Sequence, residues 1–149
     1  MTKTAFDFAS LDIATAAEQP FEFELKHPTE GNGLGVFVSV IGSESATFQA
    51  YLRREGNAAR LRNFERQRKG GDDKPMTVEA EEEALIRALA TCMTAWRTVI
   101  GGTSKPVIVW DGKELEFTQD NAAAWLTRFK FVRGQVNEAT GELGNFIKA

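Results

Sequence analysis

The sequence is poor in the residues that usually carry chemistry. Its 149 residues include one cysteine, Cys92, and one histidine, His27. One thiol cannot close an internal disulfide, and the pattern fits a reducing compartment. One Cys and one His also cannot supply a zinc site, which needs four such ligands or three plus water. There is no run of about 20 apolar residues, so a membrane-spanning helix is excluded. Basic residues do not dominate: 18 Lys and Arg against 21 Asp and Glu leave a net charge of −3. That balance gives no global electrostatic reason to bind nucleic acid. The chain does not open on a basic start followed by an apolar stretch, so no signal peptide and a cytoplasmic location are expected.

The constellations of catalysis are missing too. Ser43 and Ser104 have no His near them in sequence, and no Gly-x-Ser-x-Gly elbow occurs. His27 stands beside Pro28 at a strand end and reads as a turn residue. Cys92 lies on an apolar helical stripe and reads as a small core hydrophobe. Glu79, Glu81, Glu82 and Glu83 cluster at a helix start, where the dipole favours acids. Gly31-Asn32-Gly33-Leu34-Gly35 has the wrong spacing for a nucleotide loop, and no helix follows it directly. No catalytic, cofactor-binding or metal-binding residue is expected, and no cofactor.

What is present is an ordinary globular composition, 42% hydrophobic and 26% charged. The pattern predicts an α+β fold: an N-terminal β-hairpin, two central helices, a second short β-hairpin and a C-terminal helix. Residues 1–18 read as a flexible N-terminal arm and residues 19–149 as a single α+β domain. Phe21, Phe23 and Leu25 alternate with Glu22, Glu24 and Lys26, which predicts a strand. Residues 35–41 return as its partner. A helix capped by Ser43 or Ser45 follows, with a kink or change of partner expected near Gly56. A third element, capped at Thr77, reads as one helix through Leu85, Leu89, Cys92, Met93 and Trp96 to Gly101-Gly102. Asp111-Gly112 predicts a tight hairpin pairing Trp110 with Lys113 and Ile108 with Leu115. Thr118 caps a last helix that carries Trp125, Leu126, Phe129, Val132 and Val136, with room for a bend before Gly134. Trp96, Trp110 and Trp125 are expected in the core.

Charge is the most unusual local feature. Between Arg53 and Lys69 seven basic residues face two acids, a net of +5 over 17 residues. Residues 72–83 carry six acids and one lysine. Arg53, Arg54, Arg60, Arg62, Arg66 and Arg68 fit a solvated helix paired with those acids, a docking surface for an acidic protein, or a nucleic-acid contact. Phe146 and Ile147, beyond Gly141 and Gly144, have no obvious core partner in the sequence pattern and are candidates for a hydrophobic anchor, the alternative being that Phe146 folds back into the core.

The order of these stretches resembles a known family. A hairpin leads into GSESATFQAYLRRE and an Arg-rich helix. EEEALIRALATCMTAWRTV and DGKELEFTQDNAAAWL follow, and Asn145-Phe146 lies close to the end. Over residues 20–147 this resembles the tail assembly chaperones of long-tailed, non-contractile bacteriophages, small proteins encoded near the tape measure gene. The resemblance implies a non-enzymatic protein of the host cell cytoplasm, absent from the mature virion. It implies binding to the tape measure protein and recruitment of tail tube protein, and it is compatible with a homo-oligomer. Many such chaperones are made in two lengths by a programmed frameshift, and on that resemblance this chain would be the short form or its N-terminal part. The charged interval Arg53–Pro75 matches only as a variable region. A structural tail component of the virion, or a small nucleic-acid-binding regulator using residues 53–69, remain the alternatives.

Overall fold

The computed structural model describes residues 4–70 and 77–147. Strand β1 (Phe21–Lys26) and strand β2 (Gly33–Val40) form the expected hairpin, with Phe23 opposite Val38. Helix α2 (Ala46–Arg68) follows, then α3 (Val78–Cys92), β3 (Met93–Ile100) and β4 (Thr103–Lys105). The second hairpin is β5 (Val107–Trp110) with β6 (Lys113–Glu116), and helices α4 (Gln119–Arg128) and α5 (Lys130–Gly141) follow. A four-stranded antiparallel sheet runs in the order β1-β2-β3-β4, and β5-β6 forms a separate two-stranded sheet.

The sequence places a helix over Met93–Ile100, and the structure corrects it to a strand. Met93 and Trp96 keep a helical spacing of three, and a bulge between their pairings with Val40 and Ser39 sets both on the buried face of the strand. The choice belongs to the β-branched Thr94, Thr98, Val99 and Ile100, which favour strand over helix, and to β2. A lone hairpin is marginal in water, and the free edge of β2 needs partners for its backbone. β3 supplies them, with Val38 opposite Trp96.

The inner face of the sheet carries Leu25, Val38, Val40, Met93 and Trp96 into one core with Ile86 and Leu89 of α3, Trp125 and Leu126 of α4, and Val132 and Val136 of α5. Trp96 joins the two sheets. Its indole donates to the Leu115 carbonyl at 3.1 Å, and its ring meets Phe117 and Trp125 edge-on, each at 5.2 Å. The second hairpin has the expected register, with Trp110 opposite Lys113 and Ile108 opposite Leu115. On the outer face Arg97 lies over the Phe37 ring at 4.1 Å and donates to both Glu22 carboxylate oxygens at 2.9 and 2.7 Å. That charge-assisted fork spans β2 and holds the Glu22 carboxyl below its usual range.

The expected single C-terminal helix is two helices. Phe129 is extended between them (φ −113°, ψ 94°), so the chain bends before Gly134, at a break five residues upstream of it. The released carbonyls at the end of α4 are taken up by Arg133. Its guanidinium donates to Leu126 O at 3.1 Å and Thr127 O at 3.3 Å, and to Glu82 of α3 at 2.8 Å. One side chain thus ties three helices together.

Within the expected arm, Asp7 and Asp12 cap a short 3-10 turn (Phe8–Leu11) and helix α1 (Ile13–Ala17). Ala17 is buried, and its carbonyl accepts from Gly42 N at 2.8 Å. A Cβ on Gly42 would lie 2.9 Å from the Ala17 methyl and 3.0 Å from the Phe146 ring. Glycine is therefore what lets the N-terminal helix and the C-terminal turn meet there.

Candidate partner-binding surfaces

The structure places the scarce reactive groups in structural roles. His27 Nδ1 accepts from the amides of Thr29 at 3.3 Å and Glu30 at 3.1 Å, which locks the β1–β2 turn. Cys92 is buried at the end of α3, and burial pushes its thiol up to about 12. The thiolate needed for nucleophilic attack is thus suppressed. Folded protein at neutral pH is expected to resist thiol alkylation, while urea-unfolded protein reacts. Among the described residues, no three His, Cys, Asp or Glu side chains gather as metal ligands. Glu79 and Glu81 occupy the first turn of α3 behind the Thr77 cap, as the dipole argument expects.

The predicted basic segment lies on α2. Ser45 caps this helix through a 3.2 Å bond from Phe48 N, and Glu18 accepts from Thr47 N at 2.7 Å. Gly56 does not end it: α2 is one α-helix of 23 residues, about 34 Å at the α-helical rise. No residue of α2 is buried. Its start is half-buried through Phe48 and Tyr51, which stack at 6.1 Å. Burial, more than any neighbouring charge, raises the Tyr51 hydroxyl above its usual range.

The second half of α2 stands out from the body. Leu61 and Phe64 are each 60% exposed, and Ala58 lies one turn earlier on the same stripe. Arg60, Arg62 and Arg68 around them are exposed, and Arg66 is half-buried. Arg53 and Arg54 are exposed nearer the start. None of these arginines forms an ion pair among the described residues. Asp72 and Asp73, among the acids expected to pair with them, lie outside the described residues. Of the described acids, Glu82 is turned toward Arg133 instead.

The tail differs from expectation. Phe146 packs against the core cluster and meets Phe21 edge-on at 6.1 Å. The expected lack of a core partner is therefore corrected for Phe146. Ile147 is half-buried, and its amide donates to Leu143 O at 2.9 Å. A 3-10 turn over Leu143–Asn145 folds this end back, and Asn145 Nδ2 donates to Ala139 O at 3.0 Å. The spacing Asn145-Phe146 after a glycine carries no periodicity, so the sequence pattern gives no sign of this return.

One apolar cavity of about 230 Å³ opens where the sheet, the second hairpin and α4–α5 meet. Leu25, Val36, Ile108, Trp110, Trp125 and Phe129 line it, and no charged side chain does. Its chemistry suits an apolar group without a fixed polar contact. The aromatic residues are visible in the sequence, but their convergence depends on β3 and on the α4–α5 break, which are not. Comparison with family models, with curated proteins and with solved structures gives no match.

Proposed function

We propose that this protein is a non-enzymatic assembly chaperone that holds a helical client, and that the client is the tape measure protein of a long-tailed phage. The observation that supports the reading is α2. Its second half presents Leu61 and Phe64 beside arginines that form no ion pair among the described residues, and none of its residues is buried. Such a stripe suits an amphipathic helix with acidic flanks, because the apolar contact supplies affinity and the charges supply orientation and solubility. A tape measure protein before assembly is a long, largely helical chain with apolar stripes that need cover. The resemblance over residues 20–147 supplies the client's identity. On this reading the protein works in the host cytoplasm, brings tail tube protein to the complex, and leaves before the virion matures.

Co-expression with the tape measure gene tests the proposal. The wild-type chain is expected to keep the tape measure protein soluble and to co-purify with it. A variant with Arg60, Arg62, Arg66 and Arg68 all changed to Glu is expected to lose both effects while keeping its circular dichroism. Salt-sensitive binding of duplex DNA with no effect on the client would favour the nucleic-acid regulator instead. Presence of the chain in purified virions would favour the structural tail component.

A further inference from the structure

Among the described residues strand β1 pairs with β2 alone, which leaves its other edge without a strand. At the end of that edge the Gln135 side chain from α5 imitates a neighbouring strand. Lys26 N donates to Gln135 Oε1 at 2.9 Å, and Gln135 Nε2 donates to the Lys26 carbonyl at 2.8 Å. His27 turns the opposite way, with its N–H donating to Asn32 O at 2.8 Å. Backbone groups alternate in direction along a strand. Glu22 and Glu24 therefore turn their N–H and C=O to the same outer side as Lys26. No backbone or side-chain group meets those four atoms among the described residues.

A groove of about 520 Å³ runs beside this edge. Phe21, Phe23 and Ala139 give it apolar surface, and Glu138 and Glu142 stand on its α5 side. Neither glutamate has an ion-pair partner among the described residues. Exposed edges are normally blunted because they recruit other strands. Here a single glutamine blunts one end and leaves a length of edge beside an acidic wall.

We propose that this groove binds an extended, basic peptide segment of a partner protein by strand addition to β1. The peptide backbone pairs with Glu22 and Glu24, and its cationic side chains meet Glu138 and Glu142. Main-chain pairing gives such modes their affinity, and the side-chain pattern gives selectivity. A second copy of β1 is a poorer occupant, because antiparallel pairing sets its Glu22 and Glu24 side chains beside those of the first copy, like charge against like. The site is remote from the α2 stripe in chemistry and does not depend on the chaperone reading.

The test is a titration of the isotope-labelled full chain with a nine-residue peptide of alternating Lys and Val, followed by amide resonances and hydrogen exchange. Saturable shifts centred on Glu22 and Glu24 are expected, with exchange at those amides slowed at least tenfold. Peptides N-methylated on either alternate set are compared, because one set must disrupt the ladder. At least one is expected to bind tenfold or more weakly, as is an alternating Glu and Val peptide. The double variant Glu138→Lys, Glu142→Lys is expected to weaken binding similarly without changing the melting temperature. Unchanged binding by both N-methylated peptides would overturn strand addition. Shifts confined to other surfaces, or none at millimolar peptide, would overturn the site. Protection of the Glu22 and Glu24 amides that grows with protein concentration alone would assign the edge to self-association and overturn the proposed occupant.

Discussion

The α5 helix and the second half of α2 have similar lengths and opposite fates. α5 buries Val132, Val136, Ala139 and Thr140 in 12 residues, and Arg133 adds bonds to two other helices. α2 buries none of its 23 residues and leaves Leu61 and Phe64 open. The difference is not one of helix propensity, since α5 contains Gly134 and α2 contains Gly56. It lies in what each helix has to pack against. Helical stability in proteins comes mainly from an apolar face set on a partner. α5 has the sheet and α3 behind it, whereas no residue of the outer half of α2 is buried against the described residues. An exposed apolar stripe retained on such a helix is best explained by a partner outside the chain.

Substitutions in the body should be costly and those on outer α2 nearly silent for folding. Trp96→Ala removes the ring that joins both sheets, together with its bond to Leu115 O. A loss of about 3–5 kcal/mol is expected in urea unfolding. Arg133→Ala leaves the Leu126 and Thr127 carbonyls and Glu82 without their donor. About 2–3 kcal/mol is expected, because bonds to charged groups are stronger than neutral ones. Phe146→Ala should cost about 1–2 kcal/mol, since the ring is only half-buried. A loss below a few tenths would return Phe146 to the role of a free anchor. Changing Arg60, Arg62 and Arg68 to Gln should shift stability by no more than about 0.5 kcal/mol per site. A larger loss would mean that α2 is held by charge and would erase the contrast with α5.

Much of the fold is legible in the sequence because local signals agree with the tertiary outcome. The alternation Phe21, Phe23, Leu25 marks β1, Asp111-Gly112 fixes the second hairpin, and the Thr77 and Thr118 caps start α3 and α4 where expected. Legibility fails where a neighbour decides. In Met93–Ile100 the buried Met93 and Trp96 have helical spacing, and the pairing with β2, with its bulge, makes the segment a strand. Phe129 breaks the last helix because Arg133, four residues later, captures the carbonyls that the break releases. The return of Phe146 rests on Gly42 and Ala17, more than a hundred residues away in sequence. On the functional side, the charge of residues 53–69 is plain in the sequence, but the exposure of Arg60, Arg62 and Arg68 is not. The free edge of β1 is invisible, because it depends on a glutamine 109 residues away.

The most direct test of the contrast is one paired measurement on the Leu61→Ser, Phe64→Ser double variant: melting temperature, and the amount of tape measure protein retained in co-purification. Both side chains are already largely in water, so melting is expected to move by no more than a degree or two. The retained client is expected to fall at least tenfold. A melting temperature lowered by about 5 °C or more, with client lost only in proportion to unfolding, would make outer α2 part of the fold. Unchanged retention with unchanged melting would show that the stripe is not where the client binds.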